Sequence, residues 1–297
     1  MNAVAPAAPA VTAVTAVTAV PVLAGGAAGH KTLAAFVASI RHLPLFPPLA
    51  QRLIDSVRRE DISATDLARL IAADVALSSH LLRLVNSSFY GLSRRIGAIT
   101  DAIAVLGFNM VRRIVTTAVL QRPVQDLLPD TPATRAFWRH QLLTAALARH
   151  LHRRDHDSDE ELAYMAGLLH DMGCLALFAH APAAYVELLG RSVGSDDALA
   201  DAERQHFGYD HAQVGATLLR LWNVPETITA TIQDHADGVA PVEPVACSVW
   251  RANGLAQRVV AVPAPDPVDA ELLAAGLDAA TLRRILDEVA SFESGAR

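Results

Sequence analysis

Apolar residues recur at intervals of three or four positions along most of the chain. The first such stripe contains Leu33, Phe36, Val37 and Ile40, and it ends at the proline-rich segment LPLFPP of residues 43–48. This spacing places the apolar side chains on one face of an α-helix, while no strand-like alternation of useful length occurs. The pattern predicts an all-α fold of short amphipathic helices.

Capping and turn residues divide the rest of the chain into helices. SATD at residues 63–66 is a capping-box pattern that opens one helix, and Gly91 and Gly107 end later ones. A joint with three prolines at residues 123–132 precedes a long helix from about 133 to 154. Further helices are expected near 160–171, 174–180, 182–190, 196–206, 211–222, 225–236, 242–260 and 279–292.

The first 29 residues differ from the rest in composition. They are almost uncharged and rich in Ala, Val, Thr and Pro, including the repeat VTAVTAVTAV. The stretch lacks the basic start of a secretory signal, and Pro6, Pro9 and Pro21 make it a poor membrane span. We predict a disordered low-complexity tail over residues 1–29 and no membrane span.

Composition and charge narrow the class of protein. Hydrophobic residues make up 52% of the chain and aromatic residues only 5%, which favours helices packed through small side chains. The net charge of −6 provides no general attraction to nucleic acid, so we expect none as a partner. Cys174 and Cys247 lie in apolar segments without CxxC spacing. We therefore expect neither a disulfide nor a zinc knuckle, and a cytoplasmic location.

Four histidines lie on apolar stripes rather than on charged faces. His140, His170, His211 and His235 each share a stripe with apolar residues on a different predicted helix. If these stripes all pack inward, four imidazoles and the adjacent Asp171 carboxylate converge in one core. Such a group could ligate a metal, but core histidines also serve as internal hydrogen-bonding residues. Spacing leaves both alternatives open, because no compact motif such as HExxH occurs.

The order of the motifs resembles a known superfamily. GLLHDMGCLAL at residues 167–177, between one histidine on a long helix and two on later helices, resembles the HD superfamily of metal-dependent phosphohydrolases. DVALSSHLLRLVNSSFYG at 74–91, followed by AITDAIAVLGFNMVRRIV at 98–115, is similar to the HDOD domain, the HD-related output domain of bacterial signalling proteins. DHAQVGATLLRLWNVPETI at 210–228 continues the resemblance.

The resemblance implies a fold and a domain organisation. We expect an HD-like helical bundle with an N-terminal lobe of short helices. The HDOD domain is expected over residues 30–262, with its N-terminal lobe at about 30–122 and its HD-like lobe at about 132–262. A C-terminal helical extension is expected at 263–297.

The resemblance also implies candidate metal ligands, and the sequence departs from the pattern. In catalytic relatives the positions of His140, His170 and Asp171 ligate metal together with a second aspartate. The best match to that aspartate is Asn253, whose neutral amide is a weaker ligand and argues against tight metal binding. Cys174 replaces the lysine of HDIGK, and no GYP sequence follows the last of the four histidines. We therefore expect no catalytic residues and no bound metal. The degenerate HD positions are His140, His170, Asp171, His211, His235 and Asn253.

Three functions are compatible with this pattern. We favour a non-catalytic signal-transduction regulator that acts through protein–protein contacts, with partners in two-component or cyclic di-GMP signalling, because the HDOD resemblance implies such a role. The first alternative is a metal-dependent phosphohydrolase (phosphodiesterase) that holds divalent iron, manganese or zinc. The second alternative is a nucleotide sensor that uses the degenerate pocket.

The segment NSSFYGLSRRIG at residues 86–97 is a candidate interaction surface. It contains Phe89, Tyr90, Arg94 and Arg95, and aromatic and arginine side chains are enriched at recognition surfaces. A structural role is the alternative, in which Asn86 caps a helix and Phe89 fills the interface between the lobes.

Overall fold

The structure is a computed structural model of the 297-residue chain. It describes residues 32–40, 47–59, 62–87, 89–93, 95–127, 131–156, 158–191, 196–236, 238–261 and 270–295. These residues form helices and turns without a strand, which confirms the predicted all-α class. The tail predicted over residues 1–29 lies outside the described residues.

The helices follow one another through short connections. They are α1 (Leu33–Ser39), α2 (Pro48–Arg59), α3 (Ala64–Ala72), α4 (Val75–Val85), α5 (Ile99–Leu106), α6 (Phe108–Leu127), α7 (Pro132–Asp155), α8 (Glu160–Leu169), α9 (Met172–His180), α10 (Pro182–Arg191), α11 (Asp196–Phe207), α12 (His211–Leu221), α13 (Glu226–Asp234), α14 (Pro244–Ala261), α15 (Ala270–Ala274) and α16 (Ala279–Gly295). The bounds of most of these helices agree with the segments in which apolar residues recur every three or four positions of the sequence.

Helices α7, α8 and α14 form the centre of the C-terminal lobe. α7 packs along both α8 and α14, while α12 packs against α9 and α13. Leu143 and Leu147 of α7 and Ala163 of α8 are completely buried in this core. A Cβ on Gly167 would lie 2.9 Å from the Cα of Ala145, so only glycine fits where α8 crosses α7. This close crossing fixes the position of the chain that follows α8.

Side-chain caps set the helix starts in the N-terminal lobe, which α2 to α6 form. Ser63 accepts a hydrogen bond from the backbone N–H of Asp66, as the capping pattern predicts. Asp74 caps α4 in the same way through the N–H of Leu77. Gly107, with a φ of 84°, ends α5 at a turn where other residues would be strained.

The first helix packs on the C-terminal lobe, and the last helix packs against both lobes. α1 contacts α12, and its Phe36 and Val37 share an apolar core with Leu177 and Val214 of the C-terminal lobe. α16 packs against α7 and also against α4. The described part of the C-terminal extension therefore holds the two lobes together.

A buried charged cluster also joins the lobes. Arg113 of α6 donates a short hydrogen bond to the Glu161 carboxylate of α8, and Arg112 Nη2 lies 3.7 Å from the same carboxylate. Each of these side chains is less than a tenth exposed. Glu161 lies in the first turn of α8, and the other end of that helix leads directly to His170. α8 therefore connects the N-terminal lobe with the adjacent His170 and Asp171.

Some core helices have the composition of a membrane span. The stretch Glu160–His180 is long and apolar enough to cross a membrane, as is the bent pair of Ile99–Leu106 and Phe108–Arg122. In the first stretch, 89% of the apolar window is buried inside the protein. Core helices pass the same test of composition, so these segments give only weak support for a span.

Candidate functional site

The His170–Asp171 doublet lies at a break between two helices. α8 ends at Leu169 and α9 begins at Met172. The prediction of one helix over 160–171, which would include the doublet in its last turn, is therefore wrong. His170 keeps helical backbone angles, whereas Asp171 has a φ of −100° and a ψ of 19°. Asp171 Oδ2 lies 3.1 Å from His170 Nε2, and Asp171 Oδ1 lies 3.2 Å from His235 Nε2.

Two glycines bring this break against α12. A Cβ on Gly173 would lie 1.8 Å from the backbone carbonyl oxygen of His211. A Cβ on Gly215 would lie 2.9 Å from the backbone nitrogen of Gly173. Neither contact leaves room for a side chain, so the backbones of α9 and α12 touch at this point. His211 is thereby held beside the doublet.

Asp171 lies at the centre of the four histidines. Its Oδ2 is 3.1 Å from His170 Nε2 and 3.7 Å from His140 Nε2. Its Oδ1 is 3.2 Å from His235 Nε2 and 3.7 Å from His211 Nε2. The structure thus shows the convergence that the apolar stripes predict. We call these five residues the His-Asp cluster.

Three of the imidazoles have an acceptor at Nδ1. His170 Nδ1 and His235 Nδ1 lie 2.8 Å and 2.6 Å from the backbone carbonyl oxygen three residues earlier. His211 Nδ1 lies 2.7 Å from Glu203 Oε2. An acceptor at this position favours a proton on Nδ1 and leaves Nε2 facing Asp171. Ligating histidines in metal sites are commonly oriented in this way.

Glu203 is a buried carboxylate that the sequence pattern does not single out as a site residue. It also accepts a hydrogen bond from the backbone N–H of His211 at 2.7 Å and one from the Tyr185 hydroxyl at 2.7 Å. Its side chain has no exposed surface. A signal is present in the sequence, because Glu203 lies four residues from both Leu199 and Phe207 on the buried stripe of α11.

The packing of charged groups shifts the ionisation of the His-Asp cluster. Burial disfavours the charged form of His211, but Glu203, together with Asp171 and Asp196, raises the pKa of His211 to about 10. Burial also opposes ionisation of Asp171, yet His170 and the other nearby histidines hold its pKa well below the usual range. Burial and the neighbouring His170 lower the pKa of His140. Protonated imidazole therefore balances the buried carboxylates.

Asn253 lies beside the cluster on α14. Its Nδ2 donates a short hydrogen bond to Asp196 Oδ2, and its Oδ1 lies 3.4 Å from Gln257 Nε2. The amide also hydrogen-bonds with His140. Asp196 is the first residue of α11 and looks, in the sequence, like an ordinary acidic residue at a helix start. The pattern of apolar residues gives no sign that it approaches the site.

The donor atoms of the His-Asp cluster fit a divalent cation. Two groups, one of His140, His170 and Asp171 and the other of Asp171, His211 and His235, each bring their ligand atoms within 4.8 Å of one another. His211 Nε2 is buried and has no hydrogen-bond partner among the described residues, so a cation that displaced its proton could bind there. Imidazole and carboxylate suit iron, manganese or zinc, which would polarise a phosphate oxygen or activate water.

Cys174 lies next to the cluster on α9. Its thiol is within 4.8 Å of ligand atoms of Glu203 and His211. Burial raises the pKa of Cys174, so the thiol stays protonated. It packs in an apolar core with Leu177 and Tyr185, where it acts as a small apolar side chain.

The surrounding helices enclose the His-Asp cluster. His170 and His211 have no exposed surface, and the relative exposures of His235 and Asp171 are 2% and 7%. His140 is more accessible, with a side chain that is 15% exposed. The cluster is therefore nearly closed to solvent, and His140 is its most exposed member.

The residues of the predicted interaction surface lie on the N-terminal lobe. Phe89 is 38% exposed, so it does not fill the interface between the lobes. Its ring meets that of Tyr90 edge-on, with 4.8 Å between the centroids, and Tyr90 packs against the main core. Arg95 is exposed, and Arg94 lies outside the described residues. Their role as an interaction surface stays a prediction.

Asn86 anchors the loop that carries these residues. It caps the C-terminus of α4, as expected for its structural role. Its Nδ2 donates to the carbonyl oxygens of Leu82 and Ile96, and its Oδ1 accepts the N–H of Ile96 at 2.7 Å. A cavity of about 790 Å³ lies beside this loop, and its lining includes Arg83 and Arg95.

Comparison with known proteins identifies relatives of this fold. The family model of the HDOD domain matches residues 43–237. The crystal structure of an HDOD domain protein with unknown function from Geobacter sulfurreducens is 25% identical, with a TM-score of 0.67 over 88% of this chain and 92% of that chain. A Marinobacter aquaeolei VT8 structure named "Putative signal transduction protein" is 26% identical, with a TM-score of 0.64 over 86% of this chain and 59% of that chain.

A longer relative extends the comparison. An uncharacterized protein of Treponema pallidum (strain Nichols) is 27% identical over 209 residues, which are 68% of this chain and 39% of that protein. This chain therefore spans about two fifths of the length of that relative. The HDOD family match covers more than half of the chain and lies inside the segment that the sequence resemblance indicates. The chain belongs to the HDOD domain family.

Proposed function

We propose that this chain is a signal-transduction regulator that acts through protein–protein contacts and does not hydrolyse phosphoesters. The observation that carries the proposal is the enclosure of the His-Asp cluster, whose central Asp171 is only 7% exposed. A hydrolytic metal centre keeps a coordination position open to water and substrate. The burial of Asp171 supports a site that does not take up a phosphoester. The name of the Marinobacter aquaeolei relative supports a role in signalling.

The N-terminal lobe provides the surface for a partner. Phe89 and Arg95 are exposed on one loop, next to the cavity, and exposed aromatic and arginine side chains are typical of binding surfaces. The partners are signalling proteins, of two-component or cyclic di-GMP pathways, rather than nucleic acid. Both cysteines of the chain are free thiols, which suits a reducing compartment such as the cytoplasm.

Helix α8 supports a regulatory role for the His-Asp cluster. Its first turn carries Glu161, which is paired with two arginines of the N-terminal lobe, and its last residue precedes His170. A change at the cluster can therefore displace a helix that the N-terminal lobe contacts directly.

Partner capture tests the protein-contact part of the proposal. Full-length protein and a Phe89→Ala, Arg95→Glu variant are used as baits in an extract of the native host. We expect specific partners with the wild type and at least a tenfold loss with the variant. A Leu189→Ala, Arg52→Glu variant, changed at exposed residues elsewhere, is the matched control. Equal capture by all three proteins would remove this surface from the proposal.

Hydrolysis assays test the non-catalytic part. The protein is loaded separately with manganese, iron and zinc and incubated with generic phosphodiesters, cyclic dinucleotides and (p)ppGpp. We expect no turnover, whereas hydrolysis that disappears in an Asp171→Asn variant would overturn the proposal. A large thermal shift with one nucleotide, without hydrolysis, would instead identify a sensor.

A metal-dependent phosphohydrolase is the second candidate, because two groups of ligand atoms share Asp171. In that function His140 and His170 would bind one metal with Asp171, while His211 and His235 would bind a second. The same hydrolysis assay separates the two candidates.

A further inference from the structure

The cavity in the N-terminal lobe lies between one face of α4 and the loop that joins α4 to α5. Ser79 and Arg83, four residues apart on that face, line the cavity from the helix. Ser93 and Arg95 line it from the loop. A volume of about 790 Å³ is typical of ligand-binding cavities. The cavity therefore has the size of a binding site, and each of its two walls carries an arginine.

The local charge of the cavity is opposite to the net charge of the chain. The chain carries a net charge of −6, whereas the described residues that line the cavity include two arginines and neither aspartate nor glutamate. Arg83 and Arg95 are both exposed, so a partner can reach their guanidinium groups. The net charge disfavours the approach of an acidic partner, and the local positive charge attracts it. This difference directs an acidic partner to the cavity.

The start of α5 adds positive polarity at the same place. α5 begins at Ile99, two residues after Gly97, which lines the cavity. Its N-cap residue, Ala98, makes no side-chain hydrogen bond to the N–H groups of the first turn. Asp101 is the acidic residue of that turn and does not line the cavity. The cavity thus lies beside the positive end of a helix dipole.

Two leucines give the cavity an apolar part. Leu82 and Leu92 line it and also pack against the main core, so each is only partly exposed. Asn86 holds the helix and the loop together, because its side chain donates to the carbonyl oxygens of Leu82 and Ile96. Phe89, which is 38% exposed, lies on the same loop. The cavity is therefore formed before a partner binds and combines arginines with apolar side chains.

We propose that this cavity binds an acidic segment of a protein partner, whose carboxylates pair with Arg83 and Arg95 while an apolar side chain contacts Leu82 and Leu92. A guanidinium group binds a carboxylate through two parallel hydrogen bonds. The serine hydroxyls of both walls provide further donors. A small inorganic anion would use the arginines and leave the leucines uncovered, which favours a peptide segment. The segment belongs to the signalling partner of the proposed function, on which this proposal rests.

Binding of a defined acidic peptide tests this proposal. Full-length protein is titrated into a fluorescein-labelled peptide of four glutamates and two leucines, and into a matched peptide with glutamines in place of the glutamates. Fluorescence anisotropy measures both affinities. We expect the glutamate peptide to bind at least about fivefold more tightly than the glutamine peptide. Higher salt should weaken the binding of the glutamate peptide only.

Neutral substitutions of the arginines locate the binding site. The Arg83→Gln, Arg95→Gln variant should bind the glutamate peptide at least about fivefold more weakly than the wild type. The Arg52→Gln, Arg283→Gln variant removes the same charge at exposed residues outside the cavity and should bind like the wild type. Circular dichroism and the Tm confirm that each variant folds.

Gly97 allows a test that leaves both arginines in place. A Cβ on Gly97 would meet nothing within 4 Å, so the cavity has room for a side chain there. Gly97→Glu adds a carboxylate that competes with the peptide for the arginines, whereas Gly97→Gln adds a side chain of the same size without the charge. We expect Gly97→Glu to bind the glutamate peptide at least about fivefold more weakly than Gly97→Gln.

The proposal is overturned if the wild type binds the two peptides equally or binds neither. Equal affinity of the wild type and the Arg83→Gln, Arg95→Gln variant for the glutamate peptide would also overturn it. Displacement of the peptide by an equal concentration of inorganic phosphate would identify a small-anion site instead and reject the acidic segment. The proposed function is judged separately, because partner capture that depends on Phe89 and Arg95 would stand even if no acidic peptide binds.

Discussion

Glu203 accepts two hydrogen bonds from His211, one from its backbone N–H and one from its Nδ1, each at 2.7 Å. Both side chains are completely buried, and they belong to consecutive helices, α11 and α12. The carboxylate fixes the imidazole at the start of α12 and turns its Nε2 toward Asp171. Glu203 thus positions a cluster histidine without facing the cluster itself.

This pair predicts a pH-dependent contribution to the stability of EDTA-treated protein. The pKa of His211 is about 10 in the folded chain and about 6.5 when unfolded. A raised pKa gives stability that is fully present below about 6.5 and is lost as the pH rises through about 10. Glu203→Gln should therefore lower the free energy of unfolding by about 3 kcal/mol at pH 6 and by progressively less toward pH 10.

Urea unfolding of the wild type and Glu203→Gln at pH 6, 8 and 9.5 measures this difference. Glu187→Gln is the control, because Glu187 is an exposed residue of the adjacent α10. It should change the free energy of unfolding by less than about 0.5 kcal/mol at every pH. A constant difference between the wild type and Glu203→Gln from pH 6 to 9.5 would contradict the assigned charge on His211.

The close approach of α9 and α12 predicts a second effect. A Cβ on Gly173 would lie 1.8 Å from the His211 carbonyl oxygen, which belongs to the backbone and cannot move alone. Gly173→Ala should push the helices apart and destabilise the protein by about 3 kcal/mol or more.

Gly254→Ala is the matched control for this substitution. Gly254 lies inside α14, and a Cβ there would meet nothing within 4 Å. Since alanine has the higher helix propensity, this variant should be more stable by up to about 1 kcal/mol. Thermal unfolding of both variants tests the contrast, and a Gly173→Ala protein as stable as the wild type would show that the two helices can separate freely.

Sequence periodicity predicts most of the helices of this fold, although α15 (Ala270–Ala274) is not among those expected. The helix expected over 211–222 is α12 (His211–Leu221), because its apolar residues and the Asp210 cap act locally. The helix expected over 160–171 ends at Leu169 instead. Just after that break, Gly173 contacts α12, which lies far along the chain. Periodicity contains no information about such long-range contacts.

The candidate site is predictable only in part. Histidines such as His140 and His235 stand out because each interrupts an apolar stripe, and buried stripes meet in one core. Glu203 carries the same signal, but the many charged residues of α11 conceal it. Asp196 carries none, since it begins a helix and reaches the cluster only through Asn253. Sequence shows which face of a helix is buried and leaves open which faces meet.

Asn86 supports the loop of the predicted interaction surface, which gives a third prediction. It makes three hydrogen bonds, two of them with Ile96 on the far side of the loop. Asn86→Ala should cost about 2 kcal/mol, because the polar groups of Ile96 lose their partners. It should also weaken partner capture as much as the change at Phe89 and Arg95. Asn109→Ala, at an exposed position of α6, is the control.

Urea unfolding and the capture assay measure these two effects separately. Asn109→Ala should change the free energy of unfolding by less than about 0.5 kcal/mol and leave capture unchanged. If Asn86→Ala unfolds more easily but retains every partner, the loop does not form the binding surface.

The buried ion pairs between the lobes give the last prediction. Arg112 and Arg113 both face Glu161, and all three side chains are less than a tenth exposed. Glu161→Gln removes the negative charge that Arg113 and Arg112 both face at this buried position and should lower the free energy of unfolding by about 3 kcal/mol. Asp201→Asn, which removes the carboxylate from an ion pair with exposed side chains at Arg204, should cost less than about 1 kcal/mol.

A second substitution separates charge from packing at this interface. If uncompensated positive charge causes the loss, Arg112→Met in the Glu161→Gln background should recover part of the stability, because it removes one of the two buried cations. If Glu161 stabilises the interface only through packing, Arg112→Met should lower the free energy of unfolding further. Urea unfolding of the single and double variants measures whether the second substitution raises or lowers the free energy of unfolding. A recovery would establish that α8, which ends beside His170, is held to the N-terminal lobe by charge, and that the lobe and the His-Asp cluster are connected through one helix.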